Sequence, residues 1–437
     1  MNSTKLFGTD GVRGVAGTEL TAELALSLGR AAASEVERRR PQVLIVRDTR
    51  ESGPMLEAAL AAGIAEGGGD ALLGGVLPTP AASVLVRRLG LDLGAVVSAS
   101  HNPWEHNGIK FFGRDGRKLS DELERRIEAH VAERGAASPA VGRVRTLEGA
   151  LDDYLRELTS RFQLDLSGRR VVLDCAHGAT YRAAPIVFER LGATVEVLSD
   201  EPDGRNINED CGSTHPESLA AAVRAGDAEI GFAFDGDGDR VIAVDSSGTV
   251  RDGDELIALC ATHLARNSAL GGGVVVTVMS NYGFHGAMRD AGIDVATTPV
   301  GDRHVAAQLE DRGWSLGGEQ SGHIIWSEYA PTGDGIAAAL LVMRALGDAP
   351  LDAAVPMRKL PQVLRNVEIA DRGAIDDADA VWKAVDDENA KLEGRGRVLV
   401  RPSGTEPLIR VMVEAPTAEE SEQVCERLVN LISKELA

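Results

Sequence analysis

A pattern of short β-branched apolar runs that alternate with helical stretches recurs three times along the chain. The first copy runs from VLIV (43–46) through an Ala-rich helical stretch to GAVV (94–97). The second runs from RRVVLDCAHGAT (169–180) to EIGFAF (229–234), and the third begins at GGVVVTVMSNYG (272–283). This alternation predicts units built around parallel strands with helical crossovers.

Each copy ends in a strand that runs into a polar loop: SASHNP (98–103), DGDGDR (235–240) and GGEQSGH (317–323). Ligands of open α/β sheets bind beyond the carboxyl ends of the strands. We therefore expect the three loops to face one cleft. The alternative is three independent domains that share only a fold.

The C-terminal part has a different pattern, with two short strands around a Gly loop and an amphipathic closing helix. We predict an α/β protein of three similar α/β domains with mixed, largely parallel sheets and a smaller C-terminal α+β domain, arranged around a central cleft. The predicted domains span residues 1–150, 151–252, 253–365 and 366–437.

Composition and charge narrow the classes of function. The 437 residues exceed what one core holds, and 43% hydrophobic with 26% charged residues is ordinary for a soluble protein. A net charge of −21 argues against nucleic acid as a partner. The chain has no apolar run of the ~18 residues that a membrane span needs, and the N-terminus lacks signal-peptide features, so we expect a cytoplasmic protein. The four cysteines are scattered, which makes a zinc site or disulfide framework improbable.

The loop FDGDGDR (234–240) places carboxylates at Asp235, Asp237 and Asp239 with glycines between them. Alternate residues of an extended loop point the same way, and three hard oxygen ligands suit Mg²⁺. An EF-hand is excluded, because Arg240 and Ser246 stand where its Gly and Glu are required. We therefore predict one Mg²⁺ per chain; a solvated acidic turn is the alternative.

The loop SASHNP is the candidate for reactive chemistry. Its Asn-Pro pair forces a turn that would expose Ser100 at a strand end, with Ser98 as the fallback nucleophile. Lys110 could move protons, and Arg13 or Arg240 could stabilise phosphate charge. We keep His101 as a candidate catalytic residue, although a structural hydrogen bond inside its own turn is the favoured interpretation.

Two further loops offer binding groups. RPSGTEPLIR (401–410) predicts a phosphate cradle, with a decorated hairpin turn as the even alternative. GGEQSGH suits a ligand that bears hydroxyl groups, such as a sugar. Just upstream, GWSLG (313–317) matches the G-x-S-x-G pattern of hydrolases, but Ser315 lies in a strand-like run, so we interpret the match as chance.

Taken together, these motifs resemble the α-D-phosphohexomutase superfamily over essentially the whole chain. The motifs that carry the resemblance are FGTDGVRG (7–14), SASHNP with Lys110, DGDGDR, GGEQSGH and RPSGTEP (401–407). Three further segments, 200–217, 277–284 and 299–303, and Gln320 are most similar to the bacterial members that act on glucosamine phosphate.

The resemblance implies a mechanism and a set of site residues. Ser100 would carry a phosphoryl group (phosphoserine), pass it to a sugar monophosphate, and take back the other phosphate of the bisphosphate intermediate, which turns around. The residues implied for transfer are Ser100, Lys110, Arg13 and Arg240, and those for Mg²⁺ are Ser100, Asp235, Asp237 and Asp239. The residues implied for the sugar hydroxyls are Glu319 and Ser321 with His323 nearby, and those for the non-reacting phosphate are Arg401, Ser403, Gly404, Thr405 and Arg410.

The expected reaction is the interconversion of glucosamine 6-phosphate and glucosamine 1-phosphate, primed by a sugar 1,6-bisphosphate, toward UDP-N-acetylglucosamine and cell wall. Alternatives are the same chemistry on mannose or glucose phosphates, a non-catalytic sugar-phosphate sensor that needs Mg²⁺, and a serine hydrolase. Neither nucleic acid nor membrane is an expected partner, and a homodimer is left open.

Two expectations concern the cleft itself. Because the substrate is anionic and the whole chain is acidic, we expect the cleft to be locally positive. The basic residues concerned are Arg13, Lys110, Arg240, Arg401 and Arg410. Some relatives carry a histidine near Asp302, so the sequence leaves the roles of Asp302, Arg303 and His304 open.

Overall fold

The computed structural model describes residues 6–132, 140–369, 375, 378–402 and 408–436, and it confirms the predicted fold class. Three mixed, largely parallel sheets, each packed with helices, are followed by a small antiparallel sheet with two helices. The chain divides into two units, one of residues 1–278 with 296–355 and one of residues 279–295 with 356–437.

The first sheet has six strands in the order β1-β5-β4-β2-β3-β6. Its strands are β1 (Val12–Val15), β2 (Gln42–Arg47), β3 (Asp70–Val76), β4 (Leu93–Val97), β5 (His106–Gly113) and β6 (Val144–Thr146). Its helices are α1 (Ala22–Ser34), α2 (Gly53–Glu66), α3 (Thr79–Leu89) and α4 (Asp121–Ala132). β2 is parallel to β3 and β4, whereas β5 returns antiparallel to β4. The loop between β4 and β5, residues 98–105, carries Ser100 and is called the serine loop.

The second sheet has five strands in the order β11-β10-β9-β7-β8. Its strands are β7 (Arg170–Asp174), β8 (Thr194–Leu198), β9 (Ile230–Phe234), β10 (Val241–Asp245) and β11 (Val250–Arg251). The helices around it are α5 (Ala150–Phe162), α6 (Ala183–Arg190) and α7 (Glu217–Ala225), with a short 3₁₀ helix at Gly212–Thr214. β9 and β10 form an antiparallel pair whose connection is the aspartate loop 235–240.

The third sheet has four strands in the order β13-β12-β14-β15. Its strands are β12 (Gly273–Thr277), β13 (Asp294–Thr298), β14 (Leu316–Gly318) and β15 (Ile324–Trp326). Helices in this part of the chain are α8 (Gly253–Arg266), α9 (Tyr282–Asp290), α10 (Asp302–Arg312), α11 (Gly335–Leu346) and α12 (Leu351–Ala354). The turn between β14 and β15 carries GGEQSGH, and α9 belongs to the second unit.

The second unit contains an antiparallel sheet in the order β16-β18-β17. Its strands are β16 (Gln362–Glu368), β17 (Arg397–Pro402) and β18 (Leu408–Glu414), and its further helices are α13 (Asp379–Leu392) and α14 (Ala418–Leu436). Its own apolar core includes Val381, Leu392, Val411 and Leu428. Buried Glu414 is paired with Arg397 at 2.7 Å.

The buried strands account for the apolar runs of the sequence. All five residues of β4, of β9 and of β12 are buried, as expected for strands that are covered on both faces. The four cysteines are buried free thiols. Within the described residues, no helix has the length and apolar character required to span a bilayer.

Helices α1 and α2 cross at two glycines, and this crossing fixes the segment that precedes α2. A Cβ on Gly63 would lie 1.9 Å from the carbonyl oxygen of Leu26, and a Cβ on Gly29 would lie 2.3 Å from that of Leu60. The two backbones are therefore in direct contact. Because α2 begins directly after residues 48–52, this packing also supports the loop beside the candidate nucleophile.

We expect Gly63→Ala to lower stability by about 1–3 kcal/mol, because the new methyl group forces the two helices apart. In Gly286→Ala, the matched control within α9, the added Cβ meets only the end of the Arg289 side chain at 3.9 Å. That change should stabilise by about 0.5–1 kcal/mol through helix propensity. Thermal and urea unfolding of both variants provide the comparison, and similar shifts in the two would contradict the close crossing.

Candidate active site

Ser100 lies just beyond the carboxyl end of β4, where the sequence predicts the reactive group. Its Oγ donates a hydrogen bond to Asp235 Oδ2 at 2.5 Å. Its backbone is in the left-handed region with φ of 54°, a conformation that costs a non-glycine residue of order 1–3 kcal/mol and persists only where its surroundings enforce it. The serine loop and the aspartate loop are thus in direct contact.

The three predicted metal ligands converge in the connection between β9 and β10. One oxygen from each of Asp235, Asp237 and Asp239 lies within 4.8 Å of the others, and all three residues are buried. Asp237 Oδ1 and Asp239 Oδ1 are buried without a hydrogen-bond partner. The glycine between the first two carboxylates is required by close approach, since a Cβ on Gly236 would lie 2.6 Å from the carbonyl oxygen of Ser100.

The electrostatics of this cluster favour a bound cation. Burial raises the pKa of Asp235 well above its ordinary value, and repulsion from Asp239 and Asp237 raises it further. Burial also acts to raise the pKa of Asp239, but His323, Lys110 and Arg240 outweigh it and lower that pKa. Crowded carboxylates with orphaned oxygens fit a divalent ion that prefers hard oxygen ligands.

Lys110 projects from β5 into the same cluster. Its Nζ donates to Asp237 Oδ2 at 2.8 Å and lies 3.6 Å from Asp10 Oδ2 and 3.8 Å from Asp239 Oδ2. Burial acts to lower the pKa of Lys110, but the three carboxylates outweigh burial and raise it. The side chain is therefore held as an ammonium.

His101 and the two predicted arginines surround the serine. His101 Nδ1 lies 3.4 Å from Ser100 Oγ, and burial together with Arg240 and Arg13 lowers the pKa of this imidazole. Arg13 in β1 is paired with Asp10. Arg240 Nε is 3.8 Å from Asp239 Oδ1, and the Nε atom is buried without a hydrogen bond.

A cavity of about 610 Å³ adjoins this cluster. Arg13, Asp239, Arg240, Glu319 and His323 are among its lining residues, whereas Ser321 is exposed and outside its lining. Glu319 Oε1 accepts a hydrogen bond from Gly301 N at 3.0 Å. His323 Nδ1 lies 3.6 Å from Asp239 Oδ1, and its Nε2 accepts from Gly333 N. Two predicted sugar-binding residues therefore face the cavity.

The charges that line this cavity nearly balance, while the positive cleft expected from Arg13, Lys110, Arg240, Arg401 and Arg410 stays a prediction. Four cationic side chains, Arg13, Lys118, Arg240 and Arg303, face five carboxylates, those of Asp10, Asp121, Asp239, Asp302 and Glu319. The cations are largely engaged by these carboxylates, so an anionic group gains little from the lining alone. A bound metal ion would reverse this balance.

The alternative serines have structural roles. Ser98 Oγ donates to Asp48 Oδ2 and accepts from Ser100 N at 3.0 Å. Ser315, the serine of the hydrolase-like pattern, is buried and donates to the carbonyl oxygens of Ala269 and Leu270. Ser315 therefore lacks the exposure that a hydrolase nucleophile requires.

In the second unit, two arginines predicted for phosphate binding stand directly opposite each other. Arg401 on β17 and Arg410 on β18 are cross-strand partners. Burial lowers the pKa of Arg401 and the neighbouring Arg410 lowers it further, while Arg410 Nε is buried without a hydrogen bond. Like charges that face each other destabilise a sheet, so an anion would relieve this pair. The other predicted members of the site, Ser403, Gly404 and Thr405, lie outside the described residues.

Comparison with protein families identifies the chain. Models of the phosphoglucomutase/phosphomannomutase alpha/beta/alpha domains I, II and III match residues 4–137, 152–248 and 252–362, and the C-terminal domain matches residues 364–431. The chain belongs to the phosphoglucomutase/phosphomannomutase family. It is therefore an enzyme of the isomerase class, and the predicted superfamily is confirmed.

Similar proteins refine this position within the family. A phosphoglucosamine mutase of Desulforudis audaxviator is 51% identical over 440 residues, which cover 98% of each chain. One from Nocardioides is 49% identical over 451 residues, covering 99% of this chain and 100% of the relative. These matches favour the phosphoglucosamine mutase interpretation over its mannose and glucose alternatives.

Two solved structures share the fold. A phosphoglucomutase/phosphomannomutase family protein of Burkholderia thailandensis has a TM-score of 0.83 at 26% identity and covers 99% of this chain and 98% of its own. An N-acetylphosphoglucosamine mutase of Aspergillus fumigatus, solved with GlcNAc-6P and magnesium, has a TM-score of 0.67 at 18% identity, covering 99% of this chain and 96% of its own.

Several residues of this family site were missed by sequence reasoning. Lys118 Nζ donates to both Asp10 Oδ1 and Asp302 Oδ2 at 2.5 Å. Arg303 is paired with Asp121 and with Glu124 of α4. Asp10 could have been suspected, since it lies in FGTDGVRG beside Arg13, whereas Lys118 stands in an ordinary polar turn. The residues at 302 and 303 thus bind cationic and anionic partners around the cavity, and His304 lines it.

We expect Lys118→Met to destabilise the protein by roughly 3 kcal/mol near neutral pH, because it leaves two partly buried carboxylates without their shared cation. Burial acts to raise the pKa of Asp302 and of Asp10, but Lys118 and other cations outweigh it and lower both. The two ion-paired carboxylates therefore stabilise the fold fully at pH values above their pKa in the unfolded chain. This stabilisation is lost as the pH falls toward their lower pKa values in the folded protein. In the variant the carboxylates take up protons more readily, so its deficit relative to wild type should shrink on acidification.

Urea unfolding at about pH 7.5 and at about pH 3.5, just below the ordinary aspartate pKa, measures this difference. Lys383→Met, at an exposed lysine of α13, is the control and should change the unfolding midpoint little at either pH. A deficit for Lys118→Met that is equal at both pH values would contradict the ion-pair origin.

Proposed function

We propose that this enzyme interconverts glucosamine 6-phosphate and glucosamine 1-phosphate through a phosphoserine at Ser100 and a bisphosphorylated sugar, toward amino-sugar nucleotides. The observation that carries the proposal is the hydrogen bond from Ser100 Oγ to Asp235 within the carboxylate cluster. A hydroxyl joined directly to a candidate metal cluster, beside a buried lysine, suits phosphoryl transfer. The phosphoglucosamine mutases at about 50% identity over nearly the whole chain support the sugar assignment.

Mg²⁺ is the metal that we assign to the cluster. Asp235, Asp237 and Asp239 would hold it together with the phosphorylated Ser100, and its charge would polarise a phosphoryl oxygen. The orphaned oxygens of Asp237 and Asp239 support this assignment. The fold relative from Aspergillus was solved with magnesium.

The chain's own residues then perform the transfer. A sugar hydroxyl attacks the phosphoryl group of Ser100, so that a P–O bond to the sugar forms as the bond to Oγ breaks. The Lys110 ammonium protonates Oγ, and the proton released from the sugar hydroxyl restores that ammonium, so no proton is consumed overall. Arg13 and Arg240 offset charge on the phosphoryl oxygens, while neutral His101 orients Oγ.

The remaining contacts hold the sugar while its two ends exchange. Glu319, Ser321 and His323 would accept or donate hydrogen bonds to the hydroxyl groups in either orientation. The non-reacting phosphate requires an anchor separate from the transfer site. We assign that anchor to Arg401 and Arg410, together with the three loop residues Ser403, Gly404 and Thr405.

We expect Ser100→Ala to lower turnover by more than about 1,000-fold, because the change removes the hydroxyl that carries the phosphoryl group. Peptide mass spectrometry of freshly purified wild-type protein should find the phosphate on Ser100, and Ser98→Ala should still carry it there. Phosphate on another residue would overturn the assignment.

In the same assays, kcat/KM for glucosamine 6-phosphate should exceed that for mannose and glucose 6-phosphates by at least about tenfold; a preference for mannose 6-phosphate would favour the alternative.

We expect Mg²⁺ to raise the melting temperature of the wild-type protein, by an amount that corresponds to about 2.7 kcal/mol at a hundredfold excess over Kd. Asp235→Asn should melt higher than wild type without metal, because it removes one of three repelling carboxylates, and should lose most of the Mg²⁺ response. Asp227→Asn, at an exposed position, is the control and should keep the full response. Melting curves with Mg²⁺ or with EDTA decide, and an unchanged response in Asp235→Asn would exclude this metal site.

A further inference from the structure

We propose that Arg50 and Asn208 are positioning residues that hold Ser100 in its transfer geometry from two sides, an inference that rests on the proposed role of Ser100. Among the described residues, the hydrogen-bond partners of these two side chains include neither Lys110 nor the three aspartates, and neither side chain lines the cavity. Both bind the backbone of the serine loop, and both bind the same two carbonyl groups.

Arg50 is fully buried and binds the serine loop and the first residue of β5 through four carbonyl oxygens. Its Nη2 donates to Ser100 O and to Asn102 O, each at 2.8 Å. Its Nη1 donates to His106 O at 3.0 Å and also to Pro103 O. A guanidinium has five donors in a rigid plane, so one side chain satisfies carbonyl groups along the entire loop between β4 and β5.

Asn208 binds the loop from the side of the second sheet. Its Nδ2 donates to Ser100 O at 3.0 Å and to Asn102 O at 3.3 Å. The same amide nitrogen lies only 2.7 Å from where a Cβ on Gly236 would be, so it packs between the serine loop and the aspartate loop. The carbonyl of Ser100 therefore accepts from both a guanidinium and an amide, and Gly236 leaves the space that this arrangement needs.

The residues behind Arg50 fix its direction. Asp48 Oδ2 accepts from Arg50 Nε at 2.8 Å and from Ser98 Oγ. Ser98 Oγ in turn accepts from Ser100 N. The loop is thus bound at the amide of Ser100 through Asp48 and Ser98, and at its carbonyl through Arg50, which fixes both ends of the residue.

The segment that carries Arg50 also forms hydrogen bonds with loops around the second sheet. Thr49 Oγ1 donates to His177 O at 2.6 Å, and Glu51 N donates to Gly204 O at 2.8 Å. Arg50 therefore lies in a segment that links the first sheet, which carries the serine loop, to the second sheet, which carries the aspartate loop. A shift of this segment would change the distance between the nucleophile and its carboxylate cluster.

This arrangement explains why Ser100 can adopt a left-handed backbone conformation. That conformation directs Oγ toward Asp235, and transfer between Oγ and a sugar oxygen depends on alignment of the reacting atoms. A side chain that fixes the backbone of the nucleophile without touching the sugar should affect the chemical step and leave substrate binding unchanged.

The test uses three variants of the full-length enzyme. Asn208→Leu removes the amide donors while keeping a side chain that is branched at Cγ, and Arg50→Lys keeps the charge opposite Asp48 while providing fewer donors for four carbonyls. Arg47→Lys is the matched control, since Arg47 at the end of β2 is paired with Glu57 of α2 and donates to the carbonyl of Asp48, not to one of the serine loop. All are measured below the melting temperature of the least stable variant.

We expect kcat to fall by about tenfold to 100-fold in Asn208→Leu and in Arg50→Lys, with KM unchanged within about twofold. The diagnostic readout is a single turnover of phosphorylated enzyme, in which transfer to glucosamine 1-phosphate competes with hydrolysis. The ratio of transfer to hydrolysis should fall in both variants and stay at the wild-type value in Arg47→Lys.

A wild-type kcat and a wild-type ratio of transfer to hydrolysis in both variants would overturn the proposed role of Arg50 and Asn208. A loss of kcat that only follows the folded fraction, at an unchanged ratio of transfer to hydrolysis, would overturn it as well. Ser100→Ala is run in parallel. If Ser100→Ala retains turnover, the proposed function fails. If Ser100→Ala is inactive while Asn208→Leu and Arg50→Lys are normal, only the positioning role of Arg50 and Asn208 fails.

Discussion

The mutual repulsion of three buried carboxylates is the constraint on which the active site depends. Asp235, Asp237 and Asp239 are held within reach of a single ion, and burying such charges is costly unless they are compensated. In the first unit the compensation comes from Lys110 on β5, from Arg240 in the aspartate loop itself and from His323 after β14. The charges that prepare a metal site therefore also join three separate segments of the chain around it.

This constraint explains which parts of the site could be predicted from the sequence. The alternation of Asp235, Asp237 and Asp239 with glycine is a local signal, since strand geometry alone places such residues on one side. Ser100 was found because an Asn-Pro turn follows an apolar strand, and the fold class followed from the length and spacing of the apolar runs. Each of these inferences needs only neighbours in sequence.

The missed residues depend on contacts between distant segments. Lys118 is separated from Asp302 by 184 positions, and Asn208 from Ser100 by 108. No local periodicity reports such a pairing, and a buried arginine such as Arg50 looks in the sequence like any surface arginine. The carboxylates that line the cavity were missed for the same reason, because counting basic residues along the chain ignores the acidic residues that fold beside them.

The nearly balanced lining gives a physical reason for an amino sugar as substrate. A hexose bisphosphate brings several negative charges to a cavity that already holds five carboxylates, and this is unfavourable unless cations accompany it. A metal ion at the aspartates supplies one such cation. A protonated amine on the sugar supplies another, whereas a neutral hydroxyl at the same carbon contributes no charge. The proposed glucosamine phosphates therefore add less net negative charge to this cavity than mannose or glucose phosphates would.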